Sequence, residues 1–538
     1  MIGVRAEHAE GIGMIKIENL TVAFGGRPAV KNVNLELEDG GILGVVGESG
    51  SGKSVTALTL MGLIGEEADI VSGRILFDDV VLLEAGRNRD RALCRQYQGN
   101  QMSMIFQEPM TSLNPTKKVG RQVEEVLKLH TKLTGEEAEK KVLEAFASVG
   151  LGDLKRVYES YPHQLSGGMR QRVMIAMAVI LHPRLIVADE PTTALDVTVQ
   201  NQIIELLRRI NTEQKNAMLF ITHDLNLAKR LCNRIVVMKD GRIVESGRTE
   251  EIFAHPGEEY TRQLIEAVPS RMKRKKANAG AGNENSSGSS AVLEVRDLSV
   301  YYREGSNSLF AGNKKHCAVE NATFTIKAGE TMGLVGESGC GKTSLSKAIL
   351  GMNRDIRGSV VNYSVRPQMI FQDPYSSLNP SKTIGWLLQE PLRARGRIDK
   401  SLRMTGPDME AAAYDMLRKV GLEEYYFHRR PSQLSGGQRQ RVSIGQALLT
   451  EPGLVIADEP VSALDVTMQA QIMELMRNLQ EELKLSYLFI SHDINVIYQM
   501  SDRIMVMWKG RIIETGDTEE VFGDPKEDYT KTLLAESV

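Results

Sequence analysis

The sequence contains the same phosphate-binding pattern twice, and no other feature constrains the fold as strongly. Residues 47–54 read Gly-Glu-Ser-Gly-Ser-Gly-Lys-Ser, and residues 336–343 read Gly-Glu-Ser-Gly-Cys-Gly-Lys-Thr. Both fit G-x-x-x-x-G-K-[ST], in which close glycines let backbone N–H groups converge on phosphates while the lysine adds a positive charge. Later motifs recur in the same order, so the sequence predicts two nucleotide sites on a duplicated domain.

The length agrees with a duplication. A chain of 538 residues suits two domains of roughly 250 residues rather than one core. We predict a first domain at residues 14–267 and a second at 292–538. The segment 268–291 is rich in Gly, Ser and Asn and is predicted to be a flexible linker. Its basic run, residues 271–276, is interpreted as solvated, with contact to anionic lipid as the alternative.

Composition excludes several classes of protein. The chain has 66 basic and 69 acidic residues, so no overall positive field favours nucleic acid as a partner. No run of 18 apolar residues could cross a bilayer, and the start does not resemble a secretory signal. The four cysteines show no C-x-x-C spacing, which argues against disulfides, zinc and iron–sulfur sites. We therefore expect a cytoplasmic chain whose membrane role depends on a partner.

Apolar runs precede the phosphate loop and the acidic pair. Residues 42–46 lead into the first phosphate loop, and residues 185–188 lead into Asp189. Continuous apolar runs are typical of strands buried on both faces of a mainly parallel sheet, whose carboxyl ends share one edge. Helix-like stretches such as 135–149 and 409–420 predict a helical subdomain in each α/β core.

The two halves keep register over their later parts. Four equivalent pairs are each 269 positions apart: Ser166 and Ser435, Asp189 and Asp458, His223 and His492, Tyr260 and Tyr529. The earlier parts differ, because Lys53 and Gln107 are 54 positions apart in the first half, whereas Lys342 and Gln372 are 30 positions apart in the second. We predict that the extra residues, around 65–101, form a surface insertion.

The phosphate loops supply the predicted contacts to ATP and Mg²⁺. Lys53 and Lys342 are expected beside the β- and γ-phosphates, and the hydroxyls of Ser54 and Thr343 on Mg²⁺. Each loop opens a helix whose N-terminus favours anions. The glycines expected to line the nucleotide are Gly47, Gly50, Gly52, Gly336, Gly339 and Gly341.

Two acidic pairs end apolar strands, Asp189-Glu190 and Asp458-Glu459. In each pair the Asp is suited to contact Mg²⁺ and the Glu to polarise water for in-line attack on the γ-phosphate. A surface acidic pair is the alternative, but both pairs are followed by proline and by the same downstream pattern.

Each half also contains Leu-Ser-Gly-Gly, at residues 165–168 and 434–437. With the order phosphate loop, Gln, Leu-Ser-Gly-Gly, acidic strand and His, the chain resembles the ABC-type ATPase family over nearly its whole length. The resemblance implies an α/β fold with two tandem P-loop NTPase domains. Each would have a mainly parallel core sheet, an antiparallel β subdomain and a helical subdomain.

In that family the Leu-Ser-Gly-Gly turn opens a helix and points at the γ-phosphate held by the opposite domain. The resemblance therefore implies that the halves pair head to tail, with one ATP between Lys53 and Ser435 and another between Lys342 and Ser166. The glycines implied to contact nucleotide are Gly167, Gly168, Gly436 and Gly437. Neither half lacks a motif, so both sites are predicted to hydrolyse ATP.

The same resemblance assigns two further residues in each half. Gln107 and Gln372 are expected to reach the Mg²⁺ and water region, while their loops contact a membrane subunit of a transporter. His223 and His492 match the γ-phosphate-sensing histidine, although a lone histidine is more often structural.

Two aromatic residues align upstream of the phosphate loops. Phe24 and Tyr302 are expected to stack on adenine, as the early aromatic of the family does, with core packing as the alternative. Cys340 lies inside the second phosphate loop; a reactive thiol is one interpretation and a small filler is the other.

The segments after each glutamine indicate a branch of the family. Residues 106–115 and 371–380, with the tails 255–261 and 524–530, look like the oligopeptide/dipeptide/nickel importers. Some ATPases of this branch carry a C-terminal cysteine cluster that this chain lacks, so no iron–sulfur cluster is predicted.

The implied partners are two membrane permease subunits and an extracytoplasmic substrate-binding protein. The chain would lie peripherally at the cytoplasmic face of the inner (cell) membrane. Peptides are the predicted cargo, and nickel chelates or glutathione-like molecules are the alternatives. The competing class is a soluble tandem ABC ATPase that acts on ribosomes or nucleic acid, but the chain has neither a long charged helical linker nor zinc-binding cysteines.

Overall fold

The computed structural model describes residues 14–86, 92–193, 195–268, 290–303, 315–364, 367–373, 377–462 and 464–535. The chain divides at Val268 into two compact units. Most of the predicted linker with its basic run, and residues 374–376 of the second glutamine motif, lie outside the described residues.

A six-stranded sheet forms the core of the first unit. The strands of this unit are β1 (Ile15–Phe24), β2 (Arg27–Leu37), β3 (Ile42–Val46), β4 (Ala68–Phe77), β5 (Val80–Glu84), β6 (Met102–Ile105), β7 (Leu185–Asp189), β8 (Ala217–Thr222), β9 (Arg234–Lys239) and β10 (Arg242–Arg248). The sheet order is β10-β9-β3-β8-β7-β6, with β10 antiparallel to β9 and the remaining pairs parallel. The phosphate loop after β3 and the acidic pair after β7 therefore lie at the same edge.

The core strands are buried on both faces. Ile42 and Val46 of β3 pack into the cluster shared with the helices, whereas Leu43 and Val45 pack into the cluster under the antiparallel sheet. Every residue of β3 and β7 is buried. This explains the absence of polar alternation in these runs and confirms the predicted parallel core.

An antiparallel sheet of order β2-β1-β4-β5 covers the core sheet in the first unit. The extra residues predicted as a surface insertion contribute the strand β5 to this sheet and also form the helix Ala92–Tyr97. Leu82, Leu83 and Cys94 are at most 3% exposed and belong to the apolar cluster beneath this sheet. The segment is therefore an ordered extension of the antiparallel sheet in which three apolar side chains join the core, while residues such as Asp79, Val80 and Arg95 are exposed at the surface.

Two helices of the first unit, Lys53–Leu60 and Ala92–Tyr97, pack into the cluster beneath the antiparallel sheet, and the others cover the opposite face of the core sheet or form a separate helical region. They are Lys53–Leu60, Ala92–Tyr97, Pro109–Ser112, Val119–His130, Gly135–Ser148, Leu154–Glu159, Gly167–Val179, Val197–Gln214, Leu225–Leu231, Thr249–Ala254 and Glu259–Ala267, with a 3₁₀ turn at Pro162–Gln164. The helix Gly167–Val179 contacts both Val119–His130 and Gly135–Ser148, and it also contacts β6. It thus connects the predicted helical subdomain to the core sheet.

The second unit repeats this arrangement. Its strands are β11 (Ala291–Arg303), β12 (Lys315–Lys327), β13 (Thr331–Val335), β14 (Ile356–Asn362), β15 (Gln368–Ile370), β16 (Leu454–Asp458), β17 (Ser486–Ser491), β18 (Arg503–Trp508) and β19 (Arg511–Asp517). The core order is β15-β16-β17-β13-β18-β19, and the antiparallel sheet has the order β12-β11-β14. The described part of this unit has no counterpart of β5.

The helices of the second unit are Lys342–Ile349, Ile384–Ile398, Gly406–Lys419, Gly436–Leu448, Val466–Leu483, Ile494–Met500, Thr518–Gly523 and Asp528–Ala535, with 3₁₀ turns at Lys400–Leu402, Glu424–His428 and Pro431–Gln433. Parallel core sheet, antiparallel sheet and helical region occur in both units, which confirms the predicted fold class. Among the residues described, no helix combines the length and apolar character needed to cross a bilayer.

Candidate nucleotide-binding and hydrolysis sites

Glycine is required at both ends of each phosphate loop. Gly47 follows β3 with φ 152°, and a Cβ there would lie 2.3 Å from the carbonyl oxygen of Met238. Gly52 has φ 101°, in the left-handed region, immediately before the helix Lys53–Leu60. A side chain at either position would collide with backbone or strain the turn. Only glycine therefore permits this tight loop at these two positions.

The lysine of each loop is enclosed by the loop itself. Lys53 is 4% exposed, and its ammonium donates to the carbonyl oxygens of Gly47 and Glu48, both at 2.8 Å. Lys342 donates in the same way to Gly336 at 2.7 Å and to the next carbonyl at 2.9 Å. Both cations are therefore held at the start of a helix, where the loop amides and the helix dipole favour phosphate.

The loop hydroxyl meets the strand acid in the first unit. The Oγ of Ser54 donates to Oδ1 of Asp189 at 3.0 Å. Burial, opposed in part by this hydrogen bond, raises the pKa of Asp189 to about 6. In the second unit burial likewise raises the pKa of Asp458, against a hydrogen bond from Thr343.

These oxygens fit Mg²⁺. A hydroxyl and a carboxylate are hard ligands, and Mg²⁺ in phosphoryl-transfer sites usually takes only one or two protein ligands beside phosphate and water. In the described part of the chain, no group of three or more His, Cys, Asp or Glu side chains is arranged to hold a metal.

Both glutamates that follow the strand acids have a left-handed backbone. Glu190 has φ 45° and Glu459 has φ 49°. The N–H of Glu190 donates to Ile221 of the neighbouring β8 at 2.9 Å, which fixes this turn. Such a conformation costs a non-glycine residue about 1–3 kcal/mol and is frequent at functional sites.

Three side chains converge on Oε2 of Glu190. Nε2 of Gln107 donates at 2.9 Å, the hydroxyl of Thr193 donates at 3.0 Å, and Nδ1 of His223 lies 3.1 Å away. Burial opposes ionisation of both Glu190 and His223. Their mutual hydrogen bond and charge nevertheless raise the pKa of His223 and, with the charge of Lys53, lower the pKa of Glu190 to about 2.

The second unit brings together the equivalent residues. Nε2 of Gln372 donates to Oε2 of Glu459 at 2.7 Å, and Nδ1 of His492 lies 3.2 Å from the same oxygen. The hydroxyl of Ser462 differs from its counterpart, since it donates to the backbone carbonyl of Glu459 at 3.1 Å. The glutamine, glutamate and histidine motifs, far apart in sequence, thus form one cluster in each unit.

The histidines are held by the start of a short helix. The Oδ1 atom of Asp224 accepts from the N–H groups of Asn226 and Leu227, and the N–H of Asp224 donates to the hydroxyl of Thr222 at 3.0 Å. Asp493 caps the equivalent helix in the second unit. These contacts fix the turn that presents each imidazole to its glutamate.

Each Leu-Ser-Gly-Gly turn begins a helix. Ser166 and Ser435 are exposed N-cap residues, and each Oγ accepts from the N–H three residues later, at 3.3 Å. In the second unit Gln438 also accepts from the N–H of Ser435 at 2.9 Å, completing a capping box. The predicted helix start is therefore present in both units.

The two candidate adenine-stacking residues differ in environment. Phe24, at the end of β1, is partly buried against the apolar cluster of the antiparallel sheet. Tyr302, at the equivalent place in β11, is 40% exposed. Core packing accounts for part of the Phe24 surface, whereas the Tyr302 ring is open to solvent.

Three contacts were not anticipated from the sequence. Tyr260 and Tyr529 accept hydrogen bonds from backbone N–H groups of the phosphate loops, and Thr193 donates to Glu190. The shared offset of 269 positions marks the tyrosines as equivalent but does not reveal what they contact.

The sequence matches two family profiles. The ABC transporter profile matches residues 30–193 and 319–462. A second profile, described as the oligopeptide/dipeptide transporter C-terminal region, matches residues 244–290.

The chain is also similar to named proteins over almost its whole length. It is 41% identical over 541 residues to the peptidoglycan transport ATP-binding protein YejF of Agrobacterium fabrum, covering 97% of this chain and 96% of that protein. It is 39% identical over 564 residues to the glutathione import ATP-binding protein GsiA of Escherichia coli, covering 97% and 89% respectively.

Among solved structures, an archaeal ribosome recycling factor in complex with a ribosomal stalk protein resembles this chain. The match covers 93% of this chain and 90% of that one, with a TM-score of 0.61 and 21% identity. At that identity the likeness shows a common fold and nothing about the partner.

Proposed function

Since this chain belongs to the ABC transporter family as one of its ATPases, we propose that it supplies the energy for importing peptides across the cell membrane. The observation that carries the proposal is the match of residues 244–290 to the C-terminal region of oligopeptide/dipeptide transporters. That region follows the catalytic motifs and is not a general feature of ATP hydrolysis, so it favours a transport branch and not only an enzyme class.

The cargo is proposed to be a di- or oligopeptide. Relatives that align along nearly all of this chain are named for transport of peptidoglycan and import of glutathione. Both of those molecules contain amino acids joined by amide bonds, which supports peptide-like cargo over nickel chelates. Substrate contacts would lie on the partner proteins.

The proposed partners are two membrane permease subunits and an extracytoplasmic substrate-binding protein. The chain would lie at the cytoplasmic face of the membrane, and the loops around Gln107 and Gln372 would pass movement to the permeases. Both glutamines, with Phe106 and Phe371 beside them, are exposed in the described structure. These four side chains are therefore accessible for contact with a permease.

Each ATP is proposed to lie between a phosphate loop and the Leu-Ser-Gly-Gly turn of the other domain, pairing Lys53 with Ser435 and Lys342 with Ser166. The exposed helix starts at both serines support this, because a helix N-terminus open to solvent can accept an anion brought by another domain. Binding of ATP would close the domains, and hydrolysis would reopen them.

Within each site the side chains have separate roles. Lys53 neutralises the β- and γ-phosphates, and Ser54 with Asp189 would hold Mg²⁺, which supplies further charge neutralisation when bound. Glu190 orients the attacking water, and His223 holds Glu190 and contacts the γ-phosphate. Gln107 and His223 both contact Oε2 of Glu190, and these contacts would orient the carboxylate that acts on the water.

The enzymatic part of the proposal is tested by removing the negative charge of both glutamates. The double variant E190Q/E459Q should bind MgATP with near wild-type affinity and lose about 100-fold or more of its turnover, because the positioned base is lost. Nucleotide titration and phosphate release measure the two quantities. Turnover near the wild-type rate would refute the role of the glutamates.

The transport part is tested by co-expression with candidate permease and binding-protein subunits. We expect a complex in detergent whose ATP hydrolysis rises when the peptide-loaded binding protein is added. Lys53 and Lys342 changed to Ala should abolish uptake of labelled peptide without dissociating the complex. Association with ribosomes or nucleic acid and no permease complex would favour the soluble alternative, which rests on likeness of fold alone.

A further inference from the structure

The C-terminal tail of each unit reaches back to the phosphate loop. Tyr260, in the helix Glu259–Ala267, accepts a hydrogen bond at its hydroxyl from the N–H of Glu48, with an N–O distance of 3.3 Å. Tyr529, in the helix Asp528–Ala535, accepts from the N–H of Glu337 at 3.1 Å. Each contact joins residues about two hundred positions apart, separated by 212 and 192 positions respectively.

The peptide group that the tyrosine binds is also the one that holds the lysine. The N–H of Glu48 and the carbonyl of Gly47 belong to a single planar peptide unit, in which N–H and C=O point in opposite directions. Tyr260 binds its N–H, and the ammonium of Lys53 donates to its carbonyl oxygen at 2.8 Å. By binding the N–H of this peptide unit, Tyr260 therefore also fixes the direction of the carbonyl group to which Lys53 donates.

The second unit has the same geometry with different neighbours. Tyr529 binds the N–H of Glu337, while Lys342 donates to the carbonyl oxygen of Gly336 at 2.7 Å. The ring of Tyr529 lies 5.8 Å from the ring of Trp508, whereas the ring of Tyr260 has the ammonium of Lys239 4.5 Å from its centroid. The hydroxyl contact is thus common to both units although the ring environments differ.

A carboxylate fixes each tail ahead of its tyrosine. Glu245, on β10, accepts from the N–H groups of Gly257 at 2.8 Å and Glu258 at 3.2 Å. In the second unit Glu514, on β19, accepts from the N–H groups of Lys526 at 2.8 Å and Glu527 at 3.2 Å. The tyrosines are therefore held by the core sheet and not only by their own helices.

We propose that Tyr260 and Tyr529 are positioning residues for the phosphate-binding lysines, and that the tails exist in part to supply them. This inference rests on the proposed function of the phosphate loops. When ATP arrives, each lysine must exchange its carbonyl partner for phosphate oxygens. The tyrosine keeps the peptide unit in place during that exchange, so the loop retains the shape that receives phosphate.

The test removes only the two hydroxyl groups. The full-length variant Y260F/Y529F keeps both rings and leaves the N–H groups of Glu48 and Glu337 without their acceptor. Titration with MgATP in the E190Q/E459Q background should show affinity about 10-fold weaker, the loss expected when a partly buried donor loses its partner. In the hydrolysing protein the KM for ATP should rise by a similar factor while kcat stays within about 2-fold.

A matched control deletes a hydroxyl that does not touch the loop. Tyr487 is fully buried and donates to the carbonyl of Met476 at 3.3 Å. The variant Y487F should leave the affinity for ATP unchanged whatever it does to the unfolding temperature. A second pair of changes, E245A and E514A, removes both acceptors of each tail while leaving the tyrosines intact, and should weaken ATP binding by about 3-fold.

The outcomes are distinguishable. Unchanged affinity and KM in Y260F/Y529F, or a lower unfolding temperature with unchanged affinity, would overturn the positioning role and leave the tyrosines as packing residues. Failure of the proposed function itself would be visible elsewhere, because K53A/K342A would then bind ATP as well as the wild type.

Discussion

At the scale of single residues, the two neighbouring carboxylates at the end of β7 have pKa values shifted in opposite directions. Burial raises the pKa of Asp189 to about 6, since only a hydroxyl and a nearby lysine stabilise its charge. Glu190 is also buried, but His223, Thr193 and Lys53 together lower its pKa to about 2. Asp189, whose charge is only partly compensated, is suited to bind a cation. Glu190, which is already ionised, is suited to orient water.

The hydroxyl that follows the acidic pair differs between the units, and this predicts different sensitivity to mutation. Thr193 donates to the carboxylate of Glu190, whereas Ser462 donates to the backbone of Glu459. The variant T193V, measured with the second site silenced by E459Q, should lose about 5-fold in turnover, because one hydrogen bond that orients the carboxylate is gone. Phosphate release at saturating ATP measures this.

The matched control is S462A with the first site silenced by E190Q, which should change turnover by less than about 2-fold. Equal losses in the two variants would contradict an effect through the glutamate side chain.

At the scale of elements, the helix Val119–His130 contains a buried carboxylate that makes its stability depend on pH. Glu124 is 1% exposed and contacts Arg121 at 2.8 Å, Lys128 at 3.2 Å and the hydroxyl of Tyr158 at 3.2 Å. Burial raises the pKa of Glu124, but the two cations outweigh it, so the net pKa lies below the ordinary value of 4.5.

A lowered pKa means that the ionised carboxylate stabilises the fold above about pH 4.5 and that this contribution is lost as the pH falls through the folded-state value. The variant E124Q should therefore lower the free energy of unfolding of the first unit by about 2 kcal/mol at pH 7. Urea unfolding at pH 7 and at successively lower pH should show the difference shrinking below pH 4.5. A constant difference would show that shape, and not charge, accounts for the loss.

The start of the helix after each Leu-Ser-Gly-Gly turn also permits an element-scale prediction. A Cβ at Gly168 would lie 2.8 Å from Cγ1 of the branched Val199, whereas a Cβ at Gly437 would overlap the terminal methyl of the flexible Met468 and lie at ordinary contact distance from its sulfur and Cγ. The variant G168A should therefore lose about 1–3 kcal/mol of stability. G437A should lose less, because the methionine methyl can rotate away.

Urea unfolding of both variants tests this, with G167A as the control. A Cβ at Gly167 would lie 3.4 Å from Leu195, an ordinary contact. A larger loss in G437A than in G168A would contradict the explanation.

At the scale of the whole molecule, head-to-tail pairing predicts which double variants are equivalent to single ones. K53A and S435A would damage the same proposed site, whereas K53A and S166A would damage different sites. In the E190Q/E459Q background, K53A/S435A should still trap one ATP per chain and K53A/S166A should trap none. Filter binding with labelled ATP measures the number trapped.

The same comparison distinguishes the proposed pairing from pairing between two chains. If each phosphate loop met the Leu-Ser-Gly-Gly turn of an identical domain in a second chain, K53A/S166A would retain one site and K53A/S435A none. That reversal would overturn the proposed pairing.

Residues close together in the sequence allowed correct prediction of local structure. The phosphate loops and the buried strands follow from neighbouring residues, because glycine spacing and apolar continuity act within a few positions, whereas the helix starts at Ser166 and Ser435 were implied by the family resemblance. The length of the insertion was evident from the sequence, but the burial of Leu82, Leu83 and Cys94 depends on packing against the antiparallel sheet.

The sequence by itself thus determined the duplicated nucleotide-binding domain, its two loops and its two capped turns. Only the tertiary structure decided that Gln107, Thr193 and His223 share one oxygen of Glu190, and that Tyr260 binds the peptide unit holding Lys53. The physical reason is that these contacts join segments whose proximity is set by the order of strands in the sheet and by the return of the tail, and neither is encoded in the spacing of neighbouring residues.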